Sequence, residues 1–348
     1  MRTIEKQNTS RKATIKCMAS VIILFSLILS TVFVKPSYSD EIVIKAGSLA
    51  PAASVWMQLW NDTAQKVKER IKNLKITTYP GGVMGDEEEM IRKIRIGQLH
   101  VGAFTIKGIK KIAPEVGVLD VPFLFRNYRE VDHITSKFRK EFSDYFEKNG
   151  FKILVFAEQG FVYYYSKNPN ITSYRDLGKT RVWAWKDERI MINVAKILGT
   201  SPIYIAVPDV LSALETGMLE SLQTSPVACL SLQWCKLMKV IIDYPYRYEP
   251  GVVVIYKKVW DGLPEDVKKA FESVIKEEEP LYNKKIREAQ ENAKQKLREM
   301  GVKFVKPSEE DLKWFEAEVK QKLWYSADAE YPQDLLRKIS QELENFRK

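Results

Sequence analysis

The stretch EIVIKAGSLAPAASVWMQLWNDTAQKVKERIKNLKITTYP, residues 41–80, reads as strand, helix, strand. EIVIKAG (41–47) is an apolar, β-branched run. Ser54 then offers an N-cap oxygen, and Trp56, Trp60, Ala64, Val67 and Ile71 recur at helical spacing, with Lys and Arg gathering near the end, where the macrodipole favours cations. LKITTYP (74–80) returns as a strand. Outward from this unit the alternation repeats. Gly81-Gly82 makes a turn, a helix runs from about Asp86 to Ile96 and stops at Gly97, and LHVGAF (99–104) is a strand. FKILVFAE (151–158), VYYYS (162–166) and TRVWAW (180–185) follow; later come a helix start at Pro208-Asp209, a strand at Leu219 to Thr224, and a Ser225 N-cap with Pro226 at the first helical position. Such alternation predicts an α/β fold with mainly parallel sheets.

A long polar helix is predicted from Pro264 to Gly301. At about 1.5 Å per residue it would reach roughly 55 Å, more than the width of one small domain. It is either a surface helix laced with Lys/Glu pairs or a strut across two lobes, and its length favours the strut. Pro280 should kink it, because proline removes one helix hydrogen bond. Ser308 with Asp311 reads as a loose capping box, and Pro332 opens the last helix.

The chain has 348 residues, 55 Lys plus Arg, 45 Asp plus Glu, and three cysteines. This is ordinary globular composition, which excludes disordered, collagenous and cystine-stapled classes. Arg2, Lys6, Arg11, Lys12 and Lys16 precede the uncharged run CMASVIILFSLILSTVFV (17–34), and Ser37-Tyr38-Ser39 supplies small residues ahead of Asp40. Residues 1–39 therefore read as a secretory signal peptide, with a retained anchor as the alternative. Without them 49 basic residues face 44 acidic ones, an excess too mild to imply nucleic acid. No stable membrane insertion is expected after cleavage. Cys229 and Cys235 lie in a helix-periodic run (PVACLSLQWCKLMK); on a continuous helix they would stand about 9 Å apart, beyond the roughly 7 Å limit for a disulfide, so both are expected to be buried free thiols.

Catalytic patterns are missing. There is no G-x-S-x-G, G-x-x-x-x-G-K, H-E-x-x-H or C-x-x-C, and the two histidines, His100 and His133, sit in strand-like and helix-like stretches that favour structural roles. Glu87-Glu88-Glu89 opens a helix, where acidic residues complement the macrodipole. No enzyme and no cofactor are expected. A metal bridging ligand and protein through Glu158 and Asp187 is a minor alternative.

YPGGVMGDEEEMIRKIRIGQLHVGAF (79–104), APEVGVLDVPFLFRNYREVDH (113–133) and VPDVLSALETGMLESLQTSP (207–226), collinear with KAGSLAP (45–51) and DLGKTRVWAW (176–185), resemble the solute-binding proteins of TRAP (tripartite ATP-independent periplasmic) transporters. The resemblance implies a two-lobe, type II-like periplasmic binding fold with a hinge and a long helix laid across both lobes. It divides the chain into the signal peptide 1–39, a first lobe of 40–163 with 252–300, and a second of 164–251 with 301–348. Chain crossings are expected near Phe161 to Tyr165 and Gly251 to Ile255. The implied partners are a small organic solute and two membrane permease subunits; a ligand sensor docking on a signalling receptor is the alternative.

In most relatives a strand arginine grips the substrate carboxylate. An ungapped match places Trp183 in that slot, with Arg181 two residues earlier, and a second common arginine falls at Val162. Arg181 shares a strand face with Trp183 and either reaches the ligand or stays solvated. Trp183, Trp185, Phe161, Phe104 and Trp56 are candidate walls; Glu158, Asp187, Gln223 and Thr224 are candidate polar contacts. The turn from Ser48 to Ser54 and the Thr224-Ser225 step precede helix N-termini, where free N–H groups favour a ligand, although Ser54 and Ser225 also suit plain caps. The expected ligand has an apolar or aromatic body gripped by tryptophan, with or without a carboxylate.

Overall fold

The computed structural model describes residues 41–185, 188–327 and 329–348; the leader 1–39, Cys17 and Asp187 lie outside them. Among the described residues the first half runs β1 (Ile42–Ser48), α1 (Val55–Arg70), β2 (Leu74–Tyr79), α2 (Glu87–Arg95), β3 (Val101–Phe104), α3 (Ile106–Ile112), a 3-10 turn (Pro114–Asp120), α4 (Tyr128–Lys137), α5 (Arg139–Lys148) and β4 (Phe151–Ser166). The rest runs β5 (Val182–Ala184), α6 (Arg189–Leu198), β6 (Pro202–Tyr204), α7 (Val210–Glu215), β7 (Ser221–Thr224), α8 (Pro226–Ser231), β8 (Val240–Ile242), β9 (Arg247–Tyr256), α9 (Lys257–Gly262), α10 (Glu265–Glu299), β10 (Lys303–Val305), α11 (Glu309–Val319) and α12 (Gln333–Arg347).

The strands lie in the order β2-β1-β3-β9-β4-β7-β5-β6, with β8 joining β4 to β10. Parallel pairing holds on the flanks, where β1 meets β2 and β3, and β5 meets β6 and β7. The centre departs from the expected parallel pattern, because β9 is antiparallel to β3 and β4, and β4 is antiparallel to β7 and β8. One strand carries the chain out of the first half and another brings it back, so the two must run in opposite directions.

The stretches 151–158 and 162–166 fuse into the single strand β4. Its register against β9 shifts between Glu158 and Gly160, a bulge that bends the strand. Gly160 has φ 94°, and a Cβ there would stand 2.9 Å from both Gln290 Nε2 and Tyr128 Oη; only glycine fits. Val162 is the last β4 residue paired with β9, and Tyr163 the first paired with β7.

Helix α10 passes through Pro280 without ending there. Its Tyr282 hydroxyl meets Thr63 of α1 at 2.9 Å, Glu279 accepts the Phe156 N–H of β4 at 2.6 Å, and Gln290 accepts the Val227 N–H of α8 at 3.0 Å. The helix thus touches elements of both halves, as a strut must. At the C-terminus, β10 pairs with β8, and Asp311 of α11 accepts the Tyr174 N–H at 2.7 Å. Helix α12 instead returns to α4, with Arg347 bound to Glu130 at 2.7 Å. No helix of the described residues is long and apolar enough to cross a membrane.

Cys229 and Cys235 form a disulfide with Cα atoms 5.2 Å apart, which overturns the expectation of free thiols. The 9 Å separation assumed one unbroken helix, but α8 ends at Ser231 and Gln233 turns the chain with φ 63°. A Cys229→Ser protein should lose about 2 kcal/mol of stability, the loop-closure entropy of so short a ring. Urea unfolding with and without reductant measures it; the variant should be indifferent to reductant.

Candidate functional site

Three kinds of element converge on one cleft: the β1–α1 and β3–α3 turns, the crossing strands β4 and β9, and the ends of β5 and β7 with the loop after α8. It encloses about 1110 Å³ counting its solvent-filled mouth. Its walls are mostly apolar, and five of the eight tryptophans, Trp56, Trp60, Trp183, Trp185 and Trp234, line it. Trp183 packs edge-on against Trp185 and Trp234, with centroids 4.9 and 5.2 Å away, and its indole N–H donates to the Ile205 carbonyl at 2.9 Å. That bond fixes the ring and leaves its faces to packing.

Of the residues singled out in the sequence, Ser48, Trp56, Phe104, Glu158, Trp183, Trp185, Gln223 and Thr224 line this cleft. Phe161 does not. Alternation beyond the Gly160 bulge pairs it with Tyr248 and turns it to the sheet face opposite Val162, where its ring packs at a tilt against Tyr128 with centroids 4.9 Å apart. Arg181 is also outside. It precedes β5, at the end away from the cleft, where its side chain donates to the Met218 and Gly217 carbonyls at 3.1 and 2.8 Å and pairs with Glu220 at 3.0 Å. Glu158 reaches the cleft, but its carboxylate is engaged elsewhere: it accepts from Arg287 at 2.8 and 3.0 Å and from Tyr248 at 3.2 Å. Arg287 also grips Asp132 at 2.6 and 2.8 Å, so Glu158 ties the crossing strand to α10 instead of offering hard oxygens to a metal. Asp187, its suggested co-ligand, lies outside the described residues. Among the described residues no cluster of three His, Cys, Asp or Glu side chains could hold a metal ion.

Several other polar side chains of the lining are likewise committed. Ser48 Oγ accepts the Ala50 N–H, Thr78 accepts the Trp60 indole N–H, and Tyr282 bonds Thr63. Two buried atoms are not: Trp185 Nε1 and Gln223 Oε1 have no hydrogen-bond partner among the described residues. Buried polar groups are normally paired, and an unpaired one costs about 1–3 kcal/mol. Both residues belong to the cleft lining.

Sequence reasoning missed three ionisable groups. Arg247 of β9 is 2% exposed and lines the cleft; it pairs in register with Val162, the very position where the resemblance would set an arginine, and cross-strand partners project to the same face. Asp120 binds its Nη1, and Lys110, itself paired with Glu188, lies 3.4 Å from Asp120. Glu249, two residues on, is pushed up to about 8 by burial, with Asp120, Glu87 and Glu188 adding to the shift and Arg247 opposing it. Glu87 belongs to the acidic triplet read as helix complementarity, but it is fully buried and caps α3, accepting from Thr105 N, Thr105 Oγ1 and Gly108 N at 2.7, 3.1 and 2.6 Å. Burial raises it to about 7 against those bonds. The signal available in the sequence was RYEPG (247–251), two charges at alternate positions of an otherwise apolar strand.

The model of the bacterial extracellular solute-binding proteins of family 7 matches residues 46–328. The 2,3-diketo-L-gulonate-binding periplasmic protein YiaO of Escherichia coli is 26% identical over 251 residues, 71% of this chain and 74% of its own. The sugar acid binding protein of Advenella mimigardefordensis, solved with galactonate, superposes with a TM-score of 0.82 at 21% identity, over 88% of this chain and 99% of that one. A TRAP periplasmic solute binding protein of Desulfovibrio salexigens, solved with orotic acid, gives a TM-score of 0.79 at 19% identity, over 87% and 99%. With a two-lobe α/β fold, a cleft at the strand crossing and a match over most of its length, this chain belongs to the bacterial extracellular solute-binding protein family 7.

Proposed function

We propose that this protein is the extracytoplasmic receptor of a TRAP-type secondary transporter, closing over an organic acid and handing it unchanged to the membrane permease subunits. The observation that carries the reading is the enclosed cleft at the lobe crossing, in which Trp185 Nε1 and Gln223 Oε1 are buried without partners. A binding site needs such convergent polar groups in an apolar enclosure, and no covalent chemistry is required of them. The relatives solved with galactonate and orotic acid support an acid as the cargo. The protein acts in the periplasm after loss of residues 1–39. Its lobes divide at the Gly160 bulge of β4 and at residues 247–251 of β9, and α12 docks on the first lobe. Hinge closure across those two strands is the motion that traps the solute.

Mass spectrometry of ligand released from the purified protein, together with thermal-shift screening of organic acids, tests the reading, since a tight ligand stabilises the native state. An unaltered acid that raises the melting temperature supports it; turnover of the bound molecule, or no stabilisation by any acid, sinks it. Trp183→Ala should weaken the identified ligand by at least about tenfold through lost ring contact, whereas Arg181→Ala should leave affinity unchanged. The reverse pattern in calorimetric titration would remove tryptophan from the site.

A further inference from the structure

The geometry points to Arg247, with Trp185 and Gln223, as the polar grip for a monocarboxylate whose body is flat and apolar and carries one hydrogen-bond donor. This deepens the receptor reading above and rests on it.

Arg247 is the only cationic side chain among the described residues lining the cleft. It is aimed before any ligand arrives: Nε donates to Tyr246 Oη at 2.8 Å, and Nη1 binds Asp120. Nη2 makes no hydrogen bond to a described residue, its nearest carboxyl oxygen being Glu249 Oε2 at 3.8 Å. Two edges of the guanidinium are thus fixed and the third is open, which is how a planar fork is preorganised for an oxygen anion. Trp185 Nε1 adds a second donor without a partner. Two unsatisfied donors, one of them charged, call for an acceptor that is itself anionic.

Charge balance agrees. Arg247 and Lys110 face Asp120 and Glu188 in the same buried cluster, and the carboxyl of Glu249 beside Arg247 is kept largely protonated near neutral pH by burial. A ligand cation entering here would meet Arg247 in a low dielectric, where like charges repel strongly; an anion would not. Gln223 Oε1, the unpaired acceptor, then asks for a donor elsewhere on the same molecule.

The body follows from what the lining lacks. With Ser48, Thr78, Glu158 and Tyr282 already bonded within the protein, Gln159, Gln223 and Thr224 remain as the uncommitted neutral side chains for a row of hydroxyls. A sugar acid would bury its further hydroxyls against indole faces without compensation. A ring or short hydrocarbon instead gains the stacking that Trp183, Trp185 and Trp234 offer.

Calorimetric titration of the mature protein with 4-hydroxyphenylacetate, phenylacetate, 4-hydroxyphenylacetamide, galactonate and gluconate tests this. The hydroxyphenyl acid should bind at least about tenfold tighter than either sugar acid, and its amide should lose about tenfold or more. Trp185→Phe removes the unpaired N–H together with part of the ring that packs on Trp183, so it should weaken both aromatic acids by about tenfold or more. Gln223→Met should weaken the hydroxylated acid and spare phenylacetate. Arg247→Lys should weaken every acid; if that variant fails to fold, the Trp185→Phe result stands by itself. Preference for sugar acids, or aromatic acid affinity indifferent to Trp185→Phe, would overturn this inference and leave the receptor reading intact. Failure of all four acids to bind would overturn this inference, while stabilisation by another organic acid in the thermal-shift screen would keep the receptor reading.

Discussion

An Asp120→Asn protein is expected to lose about 3–5 kcal/mol of stability, the cost of removing one partner from a buried ion pair. Asp120 is fully buried at the end of the 3-10 turn, and it holds both Arg247 and Lys110, whose side chains are 1% and 7% exposed. The amide keeps the shape and deletes the charge, which leaves Arg247 facing Glu249. With Asp120 neutral, Glu249 should ionise more readily and restore part of the loss. The double change with Glu249→Gln should therefore cost more than the sum of the two single changes, as expected for residues within one network. Chemical denaturation of the four proteins at pH 7 measures the coupling; strict additivity would show that Glu249 does not respond to Asp120.

The second large effect is a stability profile that declines towards alkaline pH. Burial raises Glu249 to about 8 and Glu87 to about 7, both above the ordinary value of 4.5. Between the ordinary and raised values the folded state holds protons that the unfolded chain has released. Stability from this source is complete below about pH 4.5 and lost as pH rises through 7 to 8. For Glu249 alone the full loss is on the order of 5 kcal/mol, at about 1.4 kcal/mol per unit. Glu249→Gln mimics the protonated carboxyl, so it should match the parent protein near pH 4 and exceed it at pH 8.5. Melting temperatures of both proteins across that range test the prediction; parallel curves would place the titration elsewhere.

Much of the architecture is written locally. The Ser54 and Ser225 caps hold as read, accepting from the backbone N–H groups of Met57 and Ala228, while Ser308 caps Asp311 N but the Asp311 carboxylate accepts from Tyr174 instead of closing a capping box. The 35-residue helix α10 lies where its polar periodicity put it. Such signals survive because a cap or an apolar stripe involves residues within a few positions of each other. The error at the cysteines extended a regular helix through a break at the left-handed Gln233. Phe161 was misplaced for a different reason: the Gly160 bulge that turns its side chain from the cleft is set by pairing with β9, which neighbouring residues do not reveal.

The cleft divides in the same manner. Trp183, Trp185 and Gln223 could be proposed because strand ends in an α/β sheet collect ligands. Arg247 could not, since its place opposite Val162 depends on how two strands 85 residues apart in the chain are registered. Nor could the commitment of Glu158 to Arg287 of α10, or the burial that raises Glu249, be read from composition.

What the amino-acid sequence determined by itself was the alternation of strands and helices, the helix caps and the long strut, because periodicity and caps are properties of neighbouring residues. Only the tertiary structure decided which polar atoms are left unpaired, where the buried charge sits and which cysteines meet, because each depends on contacts between segments whose approach is set by the packing of the whole chain.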